Sequence, residues 1–218
     1  MQNNSLRVID LTHTIESTMP VFPGTSAPVI SQENTIERDN YAEKFLSFSS
    51  HTGTHIDAPF HIFEDGCSLD KLSVDKFIGE AVVIDVRLCQ NELIGKELID
   101  DNIRVISKVE FVLFYSGWDI KWGSSEYFKG FPTLSPEAAK SLCNFKLKGV
   151  GFDVISADPV ASSNLPNHKL LLSNGIIIVE NLCNLDKLLK MPFTFVALPL
   201  KIVESDGAPA RAVGEYYT

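Results

Sequence analysis

Eleven consecutive residues hold most of the chain's versatile chemistry: His51-Thr52-Gly53-Thr54-His55-Ile56-Asp57-Ala58-Pro59-Phe60-His61. Three of the sequence's five histidines fall here. His51, His55, Asp57 and His61 all occupy odd positions, so an extended backbone puts them on one face. A helix would carry Asp57 well round the cylinder from His51 and His55, and Gly53, the threonines and Pro59 disfavour helix. The spacing predicts a strand or extended loop that presents two imidazoles and a carboxylate side by side. It is not the helical H-E-x-x-H arrangement. Gly53 allows a close backbone approach or a sharp turn. Pro59 stiffens the exit, so that His61 points back into the site.

Two neutral imidazoles and a carboxylate suit zinc, manganese or iron(II) better than calcium. Three protein ligands also leave positions open for water, as catalytic centres do. Serine chemistry has no support, because G-x-S-x-G is absent. Cys67 follows His61 closely, but no base is paired with it in sequence, and it is expected to be a buried filler. Cys67, Cys89, Cys143 and Cys183 form no C-x-x-C pair, which excludes zinc-ribbon and thioredoxin-like readings. Scattered cysteines fit small buried side chains in a reducing, cytoplasmic setting.

Several elements must position these residues. Strands are predicted at 7–11, 45–49, 81–86, 111–115, 149–153, 175–179 and 193–198. The stretch 19–24 is a rigid loop, since two prolines and a glycine break any helix. A helix and turn are expected over 95–105. A helix opening at Ser135 as N-cap, with Pro136 in its first turn, buries a stripe at 138, 139, 142 and 145. Another short helix is expected over 165–172. Helices and strands alternate in the second half and strands dominate the first, the pattern of an α/β mixed-sheet domain. No repeat or linker interrupts residues 1–218, which read as one domain.

Composition narrows the partners. The net charge is −9, with 28 acidic against 19 basic residues, which argues against nucleic acid and against anionic membranes. No apolar run is long enough to span a bilayer. The polar start, Met1-Gln2-Asn3-Asn4-Ser5, does not read as a signal peptide. What remains is a small-molecule substrate.

The run 51–61 resembles the H-x-G-T-H-x-D-x-P-x-H signature of the metal-dependent cyclase-like hydrolases, a family that includes bacterial kynurenine formamidases (arylformamidases) and isatin hydrolases. The likeness continues through Asp10-Leu11-Thr12-His13, Glu64-Asp65-Gly66, Ser116-Gly117-Trp118, Gly151-Phe152-Asp153, Glu180-Asn181-Leu182 and Ala197-Leu198-Pro199-Leu200-Lys201. It implies a swivelling β/β/α fold and one or two divalent metal ions, zinc first and manganese as the alternative. His51, His55 and Asp57 would bind one metal. Asp57 would bridge to a second, held by His168 and Glu180, and His61 would transfer protons. His168 is the only histidine beyond residue 61, and Glu180 follows four β-branched residues, a charge at the end of a buried strand. The resemblance also implies a homodimer or homotetramer.

The expected reaction is hydrolysis of a carbonyl–nitrogen bond in a small aromatic amide. A cyclic amide, imide or lactone is an alternative substrate, and a non-catalytic metal-binding domain an alternative role. Kynurenine formamidases resemble one another in a Trp-Pro-Gly-Asp loop, whereas this chain has Phe22-Pro23-Gly24-Thr25. Phe22 is therefore expected at the substrate, with a smaller ring and no indole N–H. The other aromatics near it in kind, Trp118, Trp122, Tyr127 and Phe128, are expected to pack the core.

Overall fold

The computed structural model describes residues 5–89 and 93–218. Its strands are β1 (Leu6–Asp10), β2 (Val29–Asn34), β3 (Glu43–Ser47), β4 (His55–Asp57), β5 (Ile78–Asp85), β6 (Leu93–Ile94), β7 (Phe111–Tyr115), β8 (Thr133–Leu134), β9 (Gly149–Phe152), β10 (Ile177–Glu180), β11 (Phe193–Pro199) and β12 (Gly207–Tyr217). Its α-helices are α1 (Ile36–Asp39), α2 (Lys96–Asp101), α3 (Ile103–Ile106), α4 (Pro136–Leu142) and α5 (Pro166–Ser173).

Eight strands join in the order β1-β12-β11-β5-β7-β9-β10-β4, and β12 also pairs with β4. That last pairing closes seven strands into a barrel-like ring, with β1 added alongside β12. The centre of the sheet, β5-β7-β9-β10, is parallel, and β11, β12 and β4 run antiparallel to their neighbours. This is the mixed-sheet α/β architecture that the alternation of elements predicts.

Period-2 alternation sorts side chains into two cores. Phe111 and Leu113 of β7, Ile177 and Val179 of β10 and Ile56 of β4 fill the inside of the ring. Val112, Phe114 and Ile178 point the other way, toward Leu142 of α4 and Leu171 of α5. β7 is buried on both faces, as a central parallel strand must be, and so reads as a continuous apolar run. Trp118 and Tyr127 are in the core as expected, and Trp122 stacks on His13 with ring centroids 4.0 Å apart.

Several sequence motifs prove to be parts of one contact. Buried Asp153 accepts hydrogen bonds from the backbone N–H groups of Ser116, Gly117 and Trp118, at 2.8–3.2 Å, and from the Ser116 hydroxyl at 2.6 Å. Burial pushes its carboxyl up to about 7 against the pull of these donors. Ser135 caps α4 by accepting from Ala138 N–H at 3.1 Å, with Pro136 in the first turn.

The structure corrects four expectations. The strand predicted at 45–49 lies at Glu43–Ser47, paired with β2 in a hairpin that sequence alternation did not signal. The longest strand, β12, was also not expected: its small residues Gly207-Ala208-Pro209-Ala210 carry no β-branched run. Cys67 is exposed and not a buried filler, because it lies in the turn after His61 with its side chain outward; Cys183 is buried, and Cys89 and Cys143 are partly so. Finally, the extended reading of 51–61 holds only for β4. Residues 51–54 form a turn and Pro59–His61 a 3₁₀ turn, because Gly53 adopts φ +65 and Pro59 starts a helical turn. No helix among the described residues is long and apolar enough to cross a membrane.

Candidate metal centre

The inward side chain of β4 is Ile56, so His55 and Asp57 face outward, into the layer between sheet and helices. β10 lies antiparallel to β4 with Glu180 opposite His55 and Ile178 opposite Asp57. Glu180 shares the parity of Ile178 and projects on the same side. His168, two residues into α5, comes down from the helix layer. His55, Asp57, His168 and Glu180 are each no more than 4% exposed.

His55 Nε2 lies 3.3 Å from Asp57 Oδ1 and 3.5 Å from Glu180 Oε2. His168 Nε2 lies 3.4 Å from Asp57 Oδ2 and 3.3 Å from Glu180 Oε1. The far nitrogens are committed elsewhere. His55 Nδ1 donates to the Gly53 carbonyl at 2.7 Å, and that carbonyl also accepts from Asn181 Nδ2 at 2.9 Å. His168 Nδ1 donates to Asp158 Oδ2 at 2.7 Å. Each ring therefore presents Nε2 to carboxylate oxygens, an arrangement that would be repulsive for a neutral imidazole unless a proton or a cation lies between them.

Asp57 Oδ2, although buried, makes no hydrogen bond among the described residues. Glu180 Oε1 is anchored by Ala157 N–H at 2.6 Å, and its other oxygen faces the centre. Donor atoms each about 2.1 Å from one tetrahedral cation stand about 3.4 Å apart, which matches these separations. The residues present fit a divalent metal.

Protonation reports the same demand for positive charge. Burial opposes charging His55, yet hydrogen bonds and Coulomb attraction from Asp57 and Glu180 raise it to about 10. His168 is likewise raised well above the ordinary imidazole range, against burial, by Asp158, Asp57 and Glu180. Asp57 is held well below the usual carboxylate range: burial pushes it up, but His51 and the other two imidazoles outweigh that.

His51 and His61 occupy the solvent side. His51 Nδ1 lies 2.7 Å from Asp57 Oδ1 and its Nε2 lies 2.8 Å from Asp206 Oδ2. The carboxylates on both sides raise it to about 9, although burial works the other way. The rings of His51 and His61 are 4.1 Å apart, and His61 Nδ1 is 3.4 Å from the same Asp206 oxygen. Potential ligand atoms thus form two groups, the atoms of each lying within 4.8 Å of one another: His55 with Asp57 and Glu180, and His51 with Asp57 and His61. The structure brings His51, His55, Asp57, His61 and Glu180 together with Asp57 common to both groups, adds His168 beside Asp57 and Glu180, and leaves Cys67 outside. It sets His51 beside His61 and draws His55 toward Glu180 and His168.

A pocket of about 290 Å³ opens over this cluster. Phe22, Ile155, Val160 and Leu165 form its apolar wall, while Thr25, Ser156, Ser162 and Ser163 add hydroxyls. No Lys or Arg is among these described lining residues. Sequence reasoning missed Asp158 and Asp206. Asp158 also accepts from the N–H groups of Asn167 and His168, closing the start of α5; its place directly before Pro159 was the available signal. Asp206 was marked only by a following glycine, whose importance is spatial: a Cβ at Gly207 would stand 2.7 Å from His51 Cε1.

A buried His–carboxylate centre at the floor of an apolar pocket, on the helix side of a closed mixed sheet, defines a metal-dependent α/β enzyme scaffold. Residues 9–159 match the family described as "Putative cyclase", and the chain belongs to that family. It is 33% identical over 207 residues to a kynurenine formamidase of Geobacillus thermodenitrificans, covering 94% of this chain and 95% of the relative. Isatin hydrolase A from Labrenzia aggregata, solved bound to benzyl benzoate, superposes with a TM-score of 0.88 at 26% identity, covering 96% of this chain and 93% of that one. A predicted metal-dependent hydrolase from Bacillus stearothermophilus gives a TM-score of 0.79 at 27% identity, over 97% and 98% of the two chains.

Proposed function

We propose that the protein is a divalent-metal-dependent hydrolase that cleaves the carbonyl–nitrogen bond of a small aromatic amide, as an arylformamidase does. The observation that carries this reading is the pair of imidazole Nε2 atoms, from His55 and His168, converging on two buried carboxylates beneath an apolar pocket. His51, His55, Asp57, His168 and Glu180 would hold one or two cations. Zinc is the first choice for this nitrogen and oxygen set, and manganese the alternative. A cation there supplies Lewis acidity, bringing the pKa of water toward neutrality and polarising a carbonyl.

The chain's own residues do the rest. Phe22, Val160 and Leu165 receive the aromatic part and exclude water from it. His61, at the pocket wall and 4.1 Å from the His51 ring, takes the proton of the attacking water and returns it to the leaving nitrogen. Asp57 and Glu180 fix the charge of the centre, and Asp158 and the Gly53 carbonyl hold His168 and His55 in one tautomer.

A cyclic amide such as isatin is a second substrate reading. It is favoured by the compact pocket, by Phe22 in place of the indole of the formamidase loop, and by the lack of a Lys or Arg among the described lining residues to meet an amino-acid carboxylate. One cyclase-like domain over 1–218 and a homodimer or homotetramer complete the proposal. The ring linking β4 to β12 supports the first. The hairpin β2–β3 supports the second, with Val29, Phe45 and Leu46 more than half exposed. Metal analysis followed by assays on N-formylaniline, N-formylkynurenine, isatin and small lactones tests the function. Turnover that depends on metal and is lost in His55→Ala supports it; a metal-free protein with undiminished turnover overturns it.

A further inference from the structure

We propose that Asp206 is a positioning residue that fixes the tautomer and orientation of His61 and braces His51 with the same carboxylate oxygen. The inference rests on the hydrolytic reading above and deepens it. Asp206 Oδ2 lies 2.8 Å from His51 Nε2 and 3.4 Å from His61 Nδ1. His51 and His61 line the pocket, whereas Asp206 does not. It therefore acts through the rings and not on the substrate.

The carboxylate is tethered to the metal centre by backbone. The Asp206 carbonyl accepts from Ala58 N–H at 2.8 Å, and the next residue, Gly207, pairs with Asp57 in the β12–β4 ladder. Asp206 and Asp57 are thus held at a fixed spacing on either side of His51. Gly207 makes the arrangement possible, because any Cβ there would meet the His51 ring at 2.7–2.9 Å.

The chemical consequence follows from the imidazole having only two nitrogens. With Nδ1–H given to Asp206, His61 keeps its Nε2 lone pair free to accept a proton. Removing the carboxylate frees the ring to turn and to place its proton on Nε2, the wrong nitrogen for that task. The same loss leaves His51 Nε2 without its acceptor, loosening a candidate ligand.

The test uses zinc-reloaded full-length protein, its Asp206→Ala and Asp206→Asn variants, and N-formylaniline as substrate. The expected result for Asp206→Ala is a fall in kcat of about 100-fold with KM changed less than about threefold, the scale of lost acid–base catalysis. Asp206→Asn, whose amide oxygen still accepts, recovers about tenfold of that loss. Nitrogen-15 NMR of the His61 ring gives a readout independent of turnover: Nδ1–H in wild type and Asp206→Asn, Nε2–H in Asp206→Ala. An unchanged kcat in Asp206→Ala, or a His61 tautomer that is the same with and without the carboxylate, overturns the proposal. Should wild type hydrolyse nothing, the functional reading fails, and the NMR comparison still decides the role of Asp206. Should Asp206→Ala not fold, undiminished kcat in Asp206→Asn overturns the proposal and a partial fall with the tautomer retained supports it.

Discussion

Glu180 stands directly across the β4–β10 ladder from His55, so one pair of antiparallel neighbours supplies a carboxylate and an imidazole to the same outward face. The register of two strands sets this part of the centre. Glu180→Gln should therefore keep the fold, since its side-chain oxygen can still accept from Ala157 N–H, while removing a charge that faces both imidazoles. The expected outcome is a zinc affinity about 100-fold weaker and a metal-free protein that still folds but melts below wild type, since His55 and His168 lose one of their charge partners, read by competition titration and thermal melting.

Asp158 joins two tasks that mutation can expose together. It receives His168 Nδ1 and two backbone N–H groups at the start of α5, where Leu165 enters in a left-handed conformation and Pro166 follows. The hydrogen bonds outweigh burial and hold its carboxyl below the usual range. Asp158→Ala should lower stability by about 1–3 kcal/mol, because buried N–H groups lose their acceptor. It should also weaken metal binding about 10–100-fold. Denaturant melts and metal titration measure the two effects.

Gly207→Ala should be worse than its single methyl suggests. The added Cβ would overlap the His51 ring, and the Ile56 carbonyl at 2.9 Å blocks a retreat of the backbone. His51 must turn out of place, so activity should fall at least about tenfold while Glu180, His168 and the ring closure stay intact. A crystal structure of the variant and its kcat check this.

The pH response separates metal-free from metal-loaded protein. His51 and His55 are raised to about 9 and about 10 in the cation-free fold, above their unfolded value near 6.5. Their protonation stabilises the metal-free protein fully below pH 6.5, and this contribution is lost as pH rises through 9–10. Metal binding displaces those protons, so affinity should rise about 10–100-fold per pH unit across this window. Chelator-treated protein should thus lose stability between pH 6.5 and 10, while zinc-loaded protein holds its Tm. Equal slopes for both forms would contradict the account.

The sequence makes the candidate ligands legible more readily than the path that assembles them. His51, His55, Asp57 and His61 are readable from spacing, but only His55 and Asp57 share a strand; His51 arrives by a turn at Gly53 and His61 by a turn after Pro59. Their convergence depends on partners over 100 residues away, Asp206 and Asn181, which no local pattern indicates. β7 and β10 are legible because both their faces are buried. β12 is not, because close packing against β4 and His51 requires small residues that look like a loop. Cys67 shows the converse: proximity in sequence to His61 did not bring its side chain into the site.

The central claim is that the cluster around Asp57 binds a metal on which hydrolysis depends. The direct measurement is the rate of N-formylaniline or isatin hydrolysis by chelator-stripped protein before and after stoichiometric zinc or manganese is restored, with metal content determined on the same samples. Activity that vanishes on stripping, returns on reloading, and fails to return in Asp57→Asn is the predicted result. Undiminished hydrolysis by the stripped protein, or full restoration in Asp57→Asn, would contradict it.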